Sequence, residues 1–267
     1  MSTRQPRSFQ NAVNESGYPL QLKLEDLINE KSMEHNWYVL VKEHHWLNSS
    51  TGDEGFIDLI LGSHSLPKTK LVIECKKYSD NWIFLIPNKN PSATRESKIF
   101  AGFYENSLIV NDWRKTLIRP ETYESSFCVS ATKDSRTLEK ISGELLLSLE
   151  SLAIEESKLT MDHGNGILSA LFYLPIIITT AKLYICLFDP GNINLDNGEI
   201  SESEIKPVNF IRFNKNLATS LKDHKSNKDY YSKDSLVRTN LENDRTVFIV
   251  QSESILGFLK EFFWNNL

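Results

Sequence analysis

The chain reads GFIDLILGSHSLPKTKLVIECKKY from Gly55 to Tyr78, and this segment decides the fold. Two apolar runs, at 56–61 and 71–75, flank a break that contains Gly, Ser and Pro, which is typical of two β-strands joined by a turn. Asp58 interrupts the first run and Glu74 interrupts the second. A charge buried in a sheet costs several kcal/mol unless it is paired or binds a metal, so both positions call for a partner.

The expected strand geometry brings these charges together. Side chains alternate between the two faces of a strand, so Asp58 should project to the same side as Phe56 and Ile60. The opposite side should then carry Ile57, Leu59 and Leu61. Glu74 and Lys76 are two residues apart and share one face. If the strands pair as a hairpin, Asp58 lies across the ladder from Glu74, within reach of one cation.

Two adjacent carboxylates indicate a site for a divalent cation. The carboxylates repel each other, and a hard cation such as Mg²⁺, or alternatively Mn²⁺, relieves the repulsion while keeping several waters for chemistry. Lys76 follows Glu74 by two residues, and its amine can orient or deprotonate one of those waters.

The residues around Asp58 and Glu74 resemble a known family. An Asp between apolar residues, followed by LVIECK at 71–76, is similar to the PD-(D/E)XK superfamily of restriction-endonuclease-like, metal-dependent phosphodiesterases. The spacing of sixteen positions between Asp58 and Glu74 is typical of that family. Ile57 stands where some members have Pro, at a position that varies widely. The resemblance covers roughly the first hundred residues, as a pattern.

The resemblance implies a fold and an activity. The expected fold is α/β: a restriction-endonuclease-like core with a mixed central β-sheet flanked by helices, and an elaborated C-terminal half. The expected activity is that of a Mg²⁺-dependent nuclease that hydrolyses phosphodiester bonds of DNA in restriction, phage defence or repair. Asp58, Glu74 and the backbone carbonyl of Cys75 would bind the metal, and Lys76 would position or activate the attacking water. Homodimers or larger complexes are frequent in the family.

A helix before the first strand is the expected source of a further acidic residue. Leu20, Leu24, Leu27 and Ile28 follow helical spacing. Family members often supply a metal-site carboxylate from this element, and LEDLI at 24–28 resembles it, so we select Glu25. The periodicity does not separate Glu25 from Glu30 and Glu34, and a solvated surface glutamate is an equal alternative.

Two other interpretations of the motif stay open. The first is a non-catalytic nucleic-acid-binding or assembly module on the same fold. The second is an unrelated α/β protein in which Glu74 and Lys76 form a plain structural ion pair, since E-x-K is common on solvated strand faces. The sequence does not choose between DNA and RNA, or between endonuclease and exonuclease activity.

The remaining patterns predict the organisation of the chain. Residues 1–17 read as a flexible tail, and 18–267 as one α/β domain with the nuclease core at about 18–130. Apolar periodicity predicts a long helix at 135–158 and a closing helix at 255–263. It also predicts strands at 37–42, 127–130, 172–180, 182–188, 208–213 and 246–251. His44 and His45 are adjacent on a strand, point to opposite faces and are poor partners for one metal.

Composition limits the partners of the protein. A net charge of −5 argues against broad electrostatic coating of nucleic acid, so DNA contacts must come from local patches. An exposed loop at 87–97, with Lys89 and Arg95, is one candidate. Basic residues from Arg212 to Lys233 are another, although a solvated loop is the interpretation we favour there.

The cysteines and the apolar segments indicate a cytoplasmic protein without a membrane span. Cys75, Cys128 and Cys186 form no C-x-x-C pair and fit buried free thiols. The first residues have no apolar run behind them, so we expect no secretory signal. The apolar segment 171–188 contains Pro and Lys and predicts two buried strands.

Overall fold

The computed structural model describes residues 8–48, 51–64, 69–105, 108–130, 137–162, 169–216 and 244–264, which form a mixed α/β fold. The helices are α1 (Phe9–Glu15), α2 (Tyr18–Glu30), α3 (Ser32–His35), α4 (Thr137–Asp162) and α5 (Ile255–Glu261). The strands are β1 (Trp37–Leu47), β2 (Glu54–Ser63), β3 (Thr69–Lys76), β4 (Asn81–Ile86), β5 (Thr94–Glu105), β6 (Leu108–Thr122), β7 (Glu124–Ser125), β8 (Phe127–Ser130), β9 (Ser169–Thr179), β10 (Lys182–Leu187), β11 (Glu204–Val208), β12 (Phe210–Asn216), β13 (Asp244–Gln251) and β14 (Phe263–Trp264).

The strands form a mixed central sheet and a smaller second sheet. The central sheet has the order β1-β2-β3-β9-β13-β12-β7. The first three strands are antiparallel, whereas β3 and β13 both pair parallel to β9. The β5–β6 hairpin joins β9 through β5. The second sheet has the order β11-β10-β4-β8. The predicted mixed central sheet flanked by helices is confirmed.

Helices cover both faces of the central sheet and create two hydrophobic cores. On one face α4 buries a stripe with helical spacing, which we call the α4 core; the stripe comprises Leu138, Ile141, Leu145, Leu149 and Leu152. On the other face α2 and α5 form the α2–α5 core, to which they contribute Leu24, Ile28, Ile255, Phe258 and Leu259. The strands between them, β3 and β9, carry apolar residues on both faces, as expected for a strand buried on both sides.

Most predicted elements are present, and six strands were missed. The long helix, the closing helix and the strands β9, β10, β12 and β13 lie where periodicity predicts them. The strands that were not predicted are β4, β5, β6, β7, β11 and β14. The predicted loop at 87–97 is wrong at its end, because Thr94 to Ser97 belong to β5 and Ser97 is buried. Charged residues on β5 and β6 interrupt the apolar pattern that would predict these strands. In the structure the two strands are held by backbone pairing along their hairpin.

The chain uses its second half to complete the sheet around Asp58 and Glu74. β3 pairs with β2 on one side and with β9 on the other, and β9 lies far beyond residue 130. A parallel neighbour needs a long crossover, and here the crossover includes the α4 helix. Part of the predicted tail is also ordered, since Phe9–Glu15 forms α1, although none of its residues is buried. Residues 1–7 lie outside the described ranges.

Arg212 is a core residue and does not contact phosphate. Its side chain is fully buried, and its guanidinium donates hydrogen bonds to Ser97 Oγ at 2.9 Å and to the carbonyl of Thr94 at 2.7 Å. Two further bonds, at 2.6 and 2.9 Å, reach the carbonyls of Ile118 and Pro120. The interpretation of Arg212 as part of a nucleic-acid surface is therefore wrong. Lys215 of the same prediction lies in β12. The basic residues from 217 to 233 lie outside the described ranges.

Two predictions on buried groups are confirmed. Cys75, Cys128 and Cys186 are free and buried. The apolar segment at 171–188 forms the end-to-end strands β9 and β10, whose side chains are largely buried. Within the described ranges, no helix is both long and apolar enough to cross a membrane.

Candidate functional site

The predicted hairpin between β2 and β3 is present and holds Asp58 beside the strand that carries Glu74. The ladder pairs Leu59 with Ile73 and ends there, so Asp58 and Glu74 are the next residues beyond its last pair. Asp58 Oδ2 accepts a hydrogen bond of 2.6 Å from the backbone N–H of Cys75. The carboxylate therefore replaces a backbone carbonyl where the β2–β3 ladder ends.

The strand geometry is irregular at Asp58, and the predicted strict alternation is wrong there. Ile57 and Ile60 both belong to the α4 core, whereas Leu59 between them belongs to the α2–α5 core. Across the ladder, Glu43 has a left-handed backbone with φ of 50°. Such a conformation is uncommon for a residue with a Cβ, and strained residues cluster at functional sites.

Glu43 on β1 lies at the same position along the β1–β2 ladder as Asp58 on β2. Its chain neighbours Lys42 and His44 pair with Leu59 and Ile57, so Glu43 falls between these pairs, as Asp58 does on β2. Burial is the main cause of the raised pKa of Asp58, and the charge of Glu43 adds a smaller increase. Glu43 was not identified from the sequence, because a charged residue in an edge strand carries no periodic signal.

Gln21 is the residue of α2 that contacts the site. Its side chain is 7% exposed, and Nε2 donates to the backbone carbonyl of Asp58 at 3.1 Å and to Glu43 Oε1. Gln21 shares the buried face of α2 with Leu24 and Ile28. The spacing of three and seven residues to those apolar positions was the sequence signal that could have found it.

Glu25, which we selected from the sequence, is bound by Lys42 of β1. Lys42 Nζ donates to its two carboxylate oxygens at 2.9 and 3.1 Å. Glu25 is one residue past the buried Leu24, so its side chain is rotated away from the stripe that faces the sheet. The structure brings Gln21, rather than Glu25, against the backbone of Asp58.

Burial and mutual repulsion shift the pKa values of the acidic pair. Burial raises the pKa of Glu74 to about 7, the neighbouring Asp58 adds to this increase, and Lys76 opposes it. Burial also raises the pKa of Asp58, although the hydrogen bond from Cys75 counteracts the shift. The pKa of the Cys75 thiol lies well above its ordinary value, because the group is buried beside both carboxylates. That thiol is therefore protonated at neutral pH and is no nucleophile.

Lys76 contacts Glu74 directly, as their shared face predicts. Its Nζ forms an ion pair with Glu74 Oε1. Burial alone would lower the pKa of Lys76, but the charges of Glu74 and Asp58 outweigh burial and raise it. The amine is thus an ammonium ion at neutral pH. It suits the orientation of a water or a phosphate oxygen by hydrogen bonding, and it does not suit deprotonation of a water.

The neighbouring basic and histidine side chains have other partners. Lys77 Nζ donates to the backbone carbonyl of Asn14 in α1, away from the Lys76 side. His44 Nε2 lies 3.3 Å from a carboxylate oxygen of Glu155 in α4. His45 Nε2 lies 3.5 Å from Glu54, so the adjacent histidines do separate to different partners.

The oxygen atoms at the site fit a hard divalent cation. Asp58 and Glu74 supply two carboxylates whose pKa values are raised, chiefly by burial. The N–H of Cys75 points towards Asp58, and in a strand the carbonyl of the same residue points to the same edge. Within the described ranges, no three His, Cys, Asp or Glu side chains are grouped as a metal site. A cation bound here would have two side chains, a backbone carbonyl and waters as ligands, a set that Mg²⁺ accepts.

Comparisons with known proteins return no relative. No family model, no curated protein and no solved structure matches the chain. The functional assignment therefore depends on the geometry and chemistry of the site.

Proposed function

We propose that the protein is a Mg²⁺-dependent nuclease that hydrolyses phosphodiester bonds of DNA on a restriction-endonuclease-like core. The observation that carries the proposal is the 2.6 Å hydrogen bond from Cys75 N–H to Asp58 Oδ2. This bond holds one half-buried carboxylate beside a strand that presents a second carboxylate, Glu74, and an ammonium group, Lys76.

The fold supports the same assignment. The site lies on an antiparallel β1–β2–β3 unit that continues through parallel β9 into a mixed sheet. Helix α2 covers one face and α4 covers the other. A mixed sheet flanked by helices, with the acidic pair at a strand end, is the arrangement that the resemblance implies.

Each residue at the site has a distinct role in this proposal. Asp58, Glu74 and the carbonyl of Cys75 hold the cation, which when bound stabilises negative charge on the phosphate and acidifies water. The ammonium of Lys76 donates hydrogen bonds that orient the attacking water and the phosphate oxygens. The water oxygen forms a bond to phosphorus as the opposite ester P–O bond breaks. The attacking water releases a proton to the surrounding solvent, and the leaving oxygen takes up a proton from it.

A second candidate is a non-catalytic nucleic-acid-binding or assembly module on the same fold. The direct ion pair between Glu74 and Lys76 favours it, because this contact compensates one buried charge without any metal. The module would use the same sheet but would need neither divalent cations nor an attacking water.

Cleavage assays separate the two candidates. Purified protein is incubated with single-stranded and double-stranded DNA, and in parallel with RNA, in Mg²⁺, Mn²⁺ or EDTA. We expect DNA cleavage in either metal, none in EDTA, and none for Glu74→Gln. The matched control is Glu25→Gln, which removes a carboxylate bound to Lys42 and should cleave normally.

Three outcomes of these assays would contradict the proposal that the protein is a DNA nuclease with this site. A wild-type protein that neither cleaves nor binds Mn²⁺ in calorimetry supports the binding module. Cleavage that persists unchanged in Glu74→Gln shows that the activity resides elsewhere. Cleavage of RNA alone would assign the other nucleic acid to the same site.

A further inference from the structure

We infer that Glu43 is a third acidic group of the candidate site and that Gln21 is the residue that positions it. The inference rests on the proposed nuclease function and adds two residues to it. It starts from the carboxamide of Gln21, which bridges the Glu43 carboxylate on β1 and the backbone of Asp58 on β2.

The backbone of Glu43 is shaped for this position. Its φ of 50° lies in the left-handed region, which costs a residue with a Cβ about 1 kcal/mol or more. The pairs on either side, through Lys42 and His44, keep their register, so the unusual conformation is local to Glu43. An exposed glutamate in a regular strand needs no such conformation, and we attribute it to the position in which it places the carboxylate.

Gln21 is the contact that keeps the carboxylate there. Gln21 is 7% exposed and belongs to the buried face of α2. The packing of the helix therefore fixes the position from which its carboxamide extends. A carboxamide nitrogen has two N–H donors, and the two acceptors here are Glu43 Oε1 and the carbonyl of Asp58. One side chain thereby joins helix α2 and strands β1 and β2 at the acidic pair.

The carboxylate of Glu43 adds a further acidic group beside Asp58, and its charge acts on that residue. A cation at the site would therefore be attracted by a third carboxylate. Glu43 is exposed, so it suits contact with the waters of a hydrated cation better than a place in the dry interior.

A double-mutant cycle on Mn²⁺ affinity tests the inference without relying on activity. Calorimetry is carried out on the wild type, Gln21→Met, Glu43→Gln and the double variant. We expect each single substitution to weaken Mn²⁺ binding by about tenfold, as for other residues that support metal ligands. The double variant should bind no more weakly than Glu43→Gln, because Gln21 acts through Glu43. The control Glu25→Gln should bind as the wild type does.

The kinetics of DNA cleavage provide a second test, because kcat would not change if Gln21 had only a structural role. Gln21→Met should lower kcat for DNA cleavage while leaving KM for DNA unchanged, since Gln21 is buried and touches no substrate. The exchange Q21E/E43Q keeps an amide–carboxylate pair between the two side chains but removes the donor to the Asp58 carbonyl. Its Mn²⁺ affinity should still be reduced, because the charge has moved to α2. It serves in place of Gln21→Met if that variant does not fold.

The outcomes distinguish failure of the inference from failure of the proposed function. If the wild type binds Mn²⁺ and cleaves DNA, but the single substitutions have no effect or their effects multiply, the role of Gln21 is overturned and the nuclease stands. The same conclusion follows if Q21E/E43Q binds Mn²⁺ as tightly as the wild type. If the wild type neither binds Mn²⁺ nor cleaves, the proposed function fails and the inference fails with it.

Discussion

The backbone N–H of Cys75 donates a 2.6 Å hydrogen bond to Asp58 Oδ2, so the first acidic residue of the site is tied to the strand that carries the second. The carboxylate of Asp58 consequently has two functions. It closes the end of the β2–β3 ladder by accepting a backbone hydrogen bond, and it carries a charge. The two functions can be separated by substitution.

Asp58→Asn removes the charge and keeps an oxygen acceptor for Cys75, whereas Asp58→Ala removes both. We expect both variants to lose cleavage. In EDTA, Asp58→Asn should be as stable as the wild type or more stable, because repulsion with Glu74 and Glu43 is relieved. Asp58→Ala should be about 1 kcal/mol less stable than Asp58→Asn, since the Cys75 N–H loses its partner. Urea denaturation measures the difference, and equal stabilities would show that the hydrogen bond contributes nothing.

The half-buried carboxyl of Glu74 should make the metal-free protein less stable as pH rises. Its pKa is about 7 in the folded chain against an ordinary value of 4.5, so between these pH values the folded state holds the extra proton. The free energy of unfolding therefore falls across this window, by up to about 3 kcal/mol from this group. The stability contributed by the protonated carboxyl is fully present below pH 4.5 and lost above pH 7.

Glu74→Gln should remove this dependence on pH. Urea denaturation of the wild type and the variant in EDTA, at several pH values from 5 to 8, gives the difference between their free energies of unfolding. We expect the variant to gain relative to the wild type as pH rises. A difference that is constant over this range would contradict the raised pKa of Glu74.

Lys76→Met should separate binding of the metal from catalysis. The ammonium of Lys76 pairs with Glu74 and is not a metal ligand, so its loss should leave Mn²⁺ affinity unchanged or increased. The rate should fall by about a hundredfold, a typical effect of losing one electrostatic contact to the transition state. Single-turnover cleavage at saturating Mn²⁺ measures the rate. Full activity with unchanged or higher stability would instead identify a plain structural ion pair.

Arg212 should be essential for stability and irrelevant to nucleic-acid affinity. Its guanidinium donates to Ser97 and to three backbone carbonyls, and its carbon Cζ lies 4.9 Å from the centre of the Phe248 ring. Arg212→Met leaves these buried acceptors without donors and should cost about 3 kcal/mol. Denaturation compares it with the exposed control Arg114→Lys, which should be neutral. A stable Arg212→Met variant with weakened DNA binding would instead show that Arg212 is part of a nucleic-acid-binding surface.

The sequence by itself determined the part of the site that depends on local periodicity. Asp58, Glu74 and Lys76 interrupt apolar strand patterns, and the turn between those strands brings them together through short-range pairing. The helical stripe of α4 and the strands β9, β10 and β13 were likewise predictable, because burial on a helix or strand imposes a repeat that is visible in the chain.

The tertiary structure decided what no local repeat encodes. Which face of α2 docks on the sheet selects Gln21 over Glu25, and that choice depends on contacts with strands that follow later in the chain. The left-handed turn at Glu43 arises where β1 pairs with β2, and β3 finds its parallel neighbour, β9, nearly a hundred residues further on. Long-range pairing and docking set these positions, because alternation states how side chains repeat along an element but not which element lies beside it.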